Sequence, residues 1–237
     1  MKITRIYFIG LILMVCSVIN VSADKRSYVW TYEYMTMERG TAEFEQYTTY
    51  KTINTDDFSG TSSADLDLEL EFGMTDNFDF GVYQSFTTDV DGGMSYKGFK
   101  LRGRYRIGKK GALWVDPLIY LEYKSNPGFS KHVIEPKLIL AKDFGNFNIS
   151  INPYFEYEIE NDKKEFKLKF AGGINYEFGR LFKAGVEMIA DANGTYFGPT
   201  IAHGNGNMYV ALGSLFGMGV TEEKPKQQIR MIIGVHI

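Results

Sequence analysis

The sequence predicts an all-β fold, an antiparallel up-and-down β-barrel of about twelve strands, and three observations support this prediction. The first is a strict alternation of apolar and polar residues, clearest in "ADLDLELEFGM" at 64–74. The second is composition, with 18 phenylalanines, 16 tyrosines and 25 glycines among 237 residues. The third is that beyond residue 23 the chain contains no apolar run of the roughly 20 residues that a membrane-spanning helix needs.

Residues 1–23 have the three parts of a secretory signal peptide. Lys2 and Arg5 precede an apolar run, and small residues lead up to Ala23, after which we predict cleavage. Cys16 lies within the apolar run and follows a valine, whereas lipoprotein processing prefers a small residue at that position. The mature chain would then contain no cysteine and use no disulfides, although it is exported.

The alternation of period two recurs along the chain and defines the expected strands in order. The segments at 196–202 and 208–216 are weaker, because both of their faces are fairly apolar. The twelve segments are "TAEFEQYTTYKTI" at 41–53, then 64–74, 78–86, 99–107, "LWVDPLIYLEY" at 113–123, 132–142, "FNISINPYFEYEIE" at 147–160, 166–178, 182–191, 196–202, 208–216 and 228–237.

The predicted connections alternate in length, which is typical of an exported transmembrane barrel. Short turns are expected near 75–77, 108–111, 144–146, 179–180 and 203–206. Longer loops are expected near 54–61, 88–95, 125–131, 160–164, 192–195 and 219–226. Prolines at 117, 136 and 153 each remove a hydrogen-bond donor from the sheet, and we expect local bulges there.

The direction of the apolar faces separates a membrane barrel from a soluble one. A soluble barrel turns its apolar face inward, and twelve strands would enclose more apolar wall than a core readily fills. If the apolar faces instead meet lipid, about 9–11 tilted residues of each strand cross the bilayer and the charged faces line the lumen. The sequence therefore predicts a transmembrane β-barrel.

In this pattern the mature chain resembles the outer-membrane β-barrel proteins of Gram-negative bacteria. The stretch "WTYEYMTMERGTAEFEQYTTYK" at 30–51 is similar to the start of a poorly characterised transporter-like or porin-like group of such proteins. The resemblance implies a place in the cell outer membrane, with the lipid bilayer and the outer-membrane assembly machinery as partners. One departure is Ile237, because such barrels usually end in an aromatic residue.

Three segments follow from this interpretation: the signal peptide at 1–23, an aromatic segment at 24–40, and the barrel at 41–237. Three positions are open for 24–40. It could enter the lumen as a plug, lie in the periplasm before the barrel, or add a thirteenth strand.

The candidate functional residues are two ladders of charge that face the lumen. They alternate with apolar residues on the second and fourth predicted strands, and they could pair with each other over the small Gly81 or remain hydrated and set the selectivity of a pore. Bulky inward residues, among them Trp114, would narrow any path. The ladders are Asp65, Asp67, Glu69 and Glu71, and Lys100, Arg102, Arg104 and Arg106.

The expected function is a narrow channel or transporter for small hydrophilic solutes. The alternative is a closed barrel that works through its loops or its contacts with partner proteins, and a barrel enzyme acting on lipid is less favoured than either. We expect no catalytic residues, metal or cofactor: His132 is not part of a His-x-Ser motif, and His203 falls in a predicted turn. Nucleic acid is not an expected partner, because the basic ladder alternates with apolar residues such as Leu101.

Overall fold

The computed structural model describes residues 26–237 apart from 90, 91, 162, 180 and 206, so the predicted signal peptide lies outside it. The described residues form twelve strands and one short helix, α1 at Phe58–Thr61. The strands are β1 Ala42–Thr52, β2 Ser62–Gly73, β3 Phe78–Thr88, β4 Met94–Arg106, β5 Asp116–Ser125, β6 Lys131–Phe144, β7 Phe147–Glu160, β8 Lys163–Glu177, β9 Phe182–Asp191, β10 Gly194–Asn205, β11 Met208–Met218 and β12 Gln227–His236.

The sheet is a closed antiparallel barrel in which every strand pairs with its neighbours in sequence. Closure joins β1 to β12, with Phe44 opposite Val235 and Tyr50 opposite Ile229. The predicted twelve-stranded barrel is therefore confirmed. A thirteenth strand is excluded as a position for the aromatic segment, because β12 already occupies the free edge of β1 and closure leaves no edge to extend.

The apolar faces of the strands point outward. On β2, Glu69 and Glu71 are 0% and 2% exposed, whereas Leu70 and Phe72 are 42% and 39% exposed. A soluble barrel would show the reverse arrangement. The same outward exposure recurs around the wall at Leu121, Leu138, Ile151, Leu168, Ile174, Val186, Ile201 and Leu212. The described residues contain no helix that could span a bilayer, since α1 has only 4 residues.

The connections differ from the predicted alternation of lengths. The loops expected near 160–164 and 192–195 are tight, since only 161–162 join β7 to β8 and only 192–193 join β9 to β10. At the opposite end, the connection between β4 and β5 runs from 107 to 115 instead of being short. The alternation of apolar and polar residues does not show how long a connection is. A strand ends where its backbone loses its hydrogen-bond partner, and this point need not coincide with the end of the alternation.

Two of the expected placements change with these boundaries. The strand predicted to begin at Leu113 begins at Asp116, so Trp114 lies in the connection, where it is 91% exposed and cannot narrow the lumen. His203, expected in a turn, lies in β10 opposite Val210. At Trp114 the alternation begins before the paired part of the strand, whereas at His203 the paired strand continues beyond the predicted end at 202.

The bulges expected at the three prolines are absent from the described pairings. Register is constant along each strand pair that contains them, with Pro117 opposite Leu140 and Pro153 opposite Phe170. A proline removes one hydrogen bond but adds no residue, so it does not by itself shift register. The bulge found here lies between β3 and β4, next to Gly98, whose φ of +132° suits glycine.

Candidate functional site

The centre of the lumen contains a buried network of the predicted charges. Arg102 Nη2 lies 2.9 Å from Glu69 Oε1 and 2.6 Å from Glu71 Oε2. Arg104 contacts Glu71 and places Nη2 2.6 Å from Asp79 Oδ2. All five side chains are buried, and a charge removed from water in this way is tolerable only when it is paired and hydrogen-bonded.

Gly81 allows the two ladders to meet across the intervening strand β3. A Cβ at this position would lie 2.4 Å from Glu69 Oε1 and 3.3 Å from Arg102 Nε. A side chain larger than hydrogen would therefore occupy the space through which the carboxylate and the guanidinium reach each other.

Further along the same strands the pairs are partly hydrated. Lys100 Nζ lies 2.8 Å from Asp67 Oδ2, and Asp67 also accepts a hydrogen bond from Ser85 Oγ at 2.5 Å. Asp65 is contacted by Lys51 and, at 3.4 Å, by Lys97. These side chains are about one quarter to one half exposed, in contrast to the buried network at the centre.

Arg106, the last residue of the basic ladder, lies apart from the acidic ladder. Its guanidinium donates to the backbone carbonyl of Asp76 in the turn between β2 and β3 and lies 5.7 Å from the ring of Tyr34. The structure thus brings seven of the eight predicted residues into ion pairs with acidic or basic side chains of the wall and places Arg106 at the strand end.

A second buried cluster adjoins the first, and its residues were not among the predicted site residues. Arg26 Nε lies 2.8 Å from Glu45 Oε1, and its Nη2 donates to the Tyr47 hydroxyl at 2.6 Å. The hydroxyls of Tyr47 and Tyr209 both contact Glu45. The alternation at 41–53 was the available signal, since Glu45 and Tyr47 share a face there, but Arg26 belongs to no strand.

The carboxylates of Glu45, Glu69 and Glu71 lie close enough together to suggest a cation site, with ligand atoms within 4.8 Å of one another. The guanidinium groups of Arg26 and Arg102 already contact these oxygens. The group is therefore charge-compensated by the protein itself, and the chemistry of the site does not call for a metal ion.

Residues 26–40 lie against the inward-facing side chains of the barrel and are held by polar contacts. The Glu187 carboxylate on β9 accepts three backbone hydrogen bonds, from Val29, Trp30 and Thr31, each at 2.8 Å. An ionised acceptor strengthens each of these bonds relative to a neutral pair. The single side chain of Glu187 therefore fixes one turn of this segment.

The rest of the segment is held on other walls of the lumen. The Tyr32 amide donates to Asn152 Oδ1 on β7 at 2.6 Å, and the Met37 amide donates to Asp79 Oδ2 on β3 at 2.9 Å. Most of the side chains between Arg26 and Met37 are buried. The segment thus crosses the lumen before it enters β1.

Glycines of the wall provide space for the aromatic residues of this segment. A Cβ at Gly173 would lie 2.5 Å from Tyr28 Cε1. A Cβ at Gly213 would lie 2.5 Å from Val29 Cγ2 and 2.7 Å from Trp30 Cζ3. The wall is therefore shaped to the segment as well as bonded to it.

Open space remains at one end of the barrel, which we call the loop end because it carries the connections 53–61, 126–130 and 219–226. Two cavities of about 560 Å³ and about 300 Å³ lie there. Further ion pairs line this region, with Lys124 Nζ 2.7 Å from Glu135 Oε2 and Lys169 Nζ 2.6 Å from Glu156 Oε2.

His132 and His236 lie at opposite ends of the barrel. His132 Nδ1 is 2.7 Å from the Tyr123 hydroxyl, and the two rings stack at the loop end. His236 Nδ1 is 3.6 Å from Glu43 Oε2 at the opposite end, next to the chain terminus. These contacts orient the rings but do not assemble them with a nucleophile.

Three solved structures share this architecture. The alignment with an outer membrane channel from Pseudomonas putida F1 covers 89% of this chain and 100% of the channel, with a TM-score of 0.65 and 9% sequence identity. The alignment with the NanC porin covers 84% of this chain and 100% of the porin, with a TM-score of 0.58 and 8% sequence identity. The alignment with the KdgM porin, solved in complex with disordered oligogalacturonate, covers 83% of this chain and 97% of the porin. Its TM-score is 0.52 and the sequence identity is 12%.

No family model matches the sequence, and no curated protein matches it. At identities of 8–12% the likeness to these structures concerns the fold. Together with the closed sheet and its outward apolar faces, the likeness shows that the chain has the porin-like fold of the outer-membrane β-barrels.

Proposed function

We propose that the chain is an outer-membrane channel for small hydrophilic solutes, closed in the described conformation by residues 26–40. The observation that carries this proposal is the nature of the closure. A polar lumen with cavities at one end is blocked by a peptide segment whose backbone and charged groups are held by hydrogen bonds and an ion pair. Water can replace these polar contacts, so the free-energy cost of releasing the segment lies mainly in exposing its buried side chains, among them Val29, Trp30 and Met37.

Two further observations support a channel in a membrane. The exposed apolar faces suit a lipid environment, in which the closed sheet leaves no backbone group unpaired at an edge. The three structures named above, each with a TM-score above 0.5, are described as a channel and two porins.

The two charged ladders have different roles in this proposal. Asp65, Asp67 and Lys100 line the larger cavity and act on the solute as selectivity residues. Arg102 and Glu69 are wholly buried and brace the wall instead. The ladder predicted as one functional unit therefore divides into a hydrated part and a structural part.

Transport accounts for this lumen better than catalysis. A barrel enzyme acting on lipid needs an acid, a base or a nucleophile within hydrogen-bond reach of the others. The contacts of His132 with Tyr123 and of His236 with Glu43 lie at opposite ends of the barrel. A second candidate, a closed barrel acting through its loops, is favoured by the complete burial of Arg102 and Glu69.

A reversible tether separates the two candidates. The mature chain has no cysteine of its own, and a Cβ on Gly213 would lie 2.5 Å from Val29 Cγ2, so the pair Val29→Cys and Gly213→Cys can form a disulfide. We expect the oxidised variant in a planar bilayer to conduct at least tenfold less often than after reduction. Each single cysteine variant is the control and should not respond to reductant.

The channel proposal fails if the folded, reduced protein shows no discrete conductance steps. It also fails if oxidised and reduced forms conduct alike while mass spectrometry confirms the disulfide. The first result would favour the closed barrel, and the second would show that ions pass the segment without moving it.

A further inference from the structure

The larger cavity at the loop end has a strongly basic lining. Of its charged residues, three are acidic, namely Asp65, Asp67 and Glu156. Arg230 and six lysines face them, and the volume of about 560 Å³ lies within the range of small-ligand sites. The lysines are Lys51, Lys97, Lys100, Lys124, Lys131 and Lys169.

The carboxylates that pair with these lysines are recessed in the wall. Lys97 is 52% exposed against 24% for Asp65, and Lys124 is 26% exposed against 6% for Glu135. In these two pairs the ammonium group is more exposed than the carboxylate that balances it, whereas Lys100 and Asp67 are equally exposed at 22% and 21%. A solute in the cavity meets mostly positive charge, although the wall as a whole is nearly neutral.

Arg230 joins the floor of the cavity to the segment 26–40. Its Nε donates to Thr49 Oγ1 at 2.8 Å, its Nη1 donates to the Val29 carbonyl at 3.1 Å, and its guanidinium lies 5.1 Å from the Trp30 ring centre. Among the described residues, no carboxylate lies within ion-pair distance of Arg230. This guanidinium lines the cavity with its charge uncompensated by direct contact.

We propose that the cavity binds a small solute carrying two or more negative charges, and that Arg230 transmits binding to the segment 26–40. The inference rests on the proposed function, since it names the charge class of the transported solute. A bound anion attracts Arg230 more strongly than a carbonyl and a ring do. Binding therefore weakens the contacts of Arg230 with Val29 and Trp30 and favours release of the segment.

Tryptophan fluorescence tests the coupling directly, because Trp30 and Trp114 are the two tryptophans of the chain. In the variant Trp114→Phe of the full mature protein, emission reports on Trp30 alone. At constant ionic strength, we expect citrate to change this emission with saturation, whereas glucose and choline leave it unchanged. Constant ionic strength matters, because salt screening alone weakens surface ion pairs.

Affinity for citrate is measured by titration calorimetry on the same protein. Arg230→Gln should lower it at least tenfold, and Lys97→Gln, a partly exposed side chain remote from Trp30, several-fold. Lys109→Gln, in the connection at the opposite end, is the control and should bind citrate as the unmodified chain does.

The anion site is refuted if neither citrate nor inorganic phosphate binds with saturation, or if choline binds equally well. The coupling is refuted if citrate binds while Trp30 emission stays constant. Citrate binding without any conductance in the reduced tethered variant would reject the channel and retain the anion site. Conductance without saturable binding of citrate or phosphate would retain the channel and reject the anion site.

Discussion

At the scale of single residues, the packing of the lumen depends on the positions of its glycines as much as on the positions of its charged side chains. Gly81 lets Glu69 and Arg102 meet across a strand, and Gly173 and Gly213 make room for residues of the segment 26–40. Each of these glycines faces a named group within 3 Å of where its Cβ would lie. Their small size therefore follows from the interior that they face.

Replacing Gly81 by valine tests whether a glycine is needed for the contact between Glu69 and Arg102. The new side chain would separate Glu69 from Arg102 and leave buried charges poorly paired, which costs about 3–5 kcal/mol when a buried ion pair is broken. We expect this loss in the free energy of unfolding, measured by guanidinium titration of the protein in lipid vesicles. Gly93→Ala, in open space in a loop, is the matched control and should change stability by less than about 0.5 kcal/mol.

At the scale of elements, the segment 26–40 depends on the strands that it contacts. It contains no strand, yet it contacts β1, β3, β7 and β9 through side chains that alternate inward on those strands. The conformation of the segment is therefore stabilised by its contacts with the wall. Removing one wall side chain should release part of it without unfolding the sheet.

Glu187→Ala is the sharpest such change, because one carboxylate holds three backbone amides. Hydrogen bonds to a charged acceptor contribute about 1.5–3 kcal/mol each. We expect amide hydrogen exchange of residues 29–31 to accelerate at least tenfold, with exchange in β9 and β10 little changed. Glu165→Gln, on an exposed glutamate of β8, serves as control; equal acceleration there would mean that the anchor is misassigned.

At the scale of the whole molecule, the barrel has a polar inside and an apolar outside. The alternation along each strand has the same sense in all of the clearer segments, so the outer faces join into one apolar surface. This arrangement is stable where the surroundings are hydrocarbon, and it would aggregate in water.

Leu138→Arg distinguishes a membrane barrel from a soluble one. Leu138 is 41% exposed near the middle of β6, where an arginine at the midplane of a bilayer costs about 2–4 kcal/mol. We expect that loss in unfolding from lipid vesicles. Phe144→Arg, at the end of the same strand, should cost only about 0–1 kcal/mol. Equal and negligible costs at both positions would argue against a transmembrane band at this depth.

The sequence by itself determined the number of strands and, except at 196–202 and 208–216, the face that each strand turns outward. These features depend on a period of two, which is a local property of the chain and is legible in stretches such as 64–74 and 147–160. The pairing of β2 with β4 charges over Gly81 could also be anticipated, because neighbouring strands lie about 4.8 Å apart.

Only the tertiary structure decided the register of β1 against β12, the bulge beside Gly98, the start of β5 at Asp116 and the course of residues 26–40. Each of these depends on which residues lie opposite one another around a closed sheet. The contact of Arg230 with Val29, for example, joins residues 201 positions apart. Periodicity carries no information about such partners, because register and closure are set by the sum of all twelve pairings.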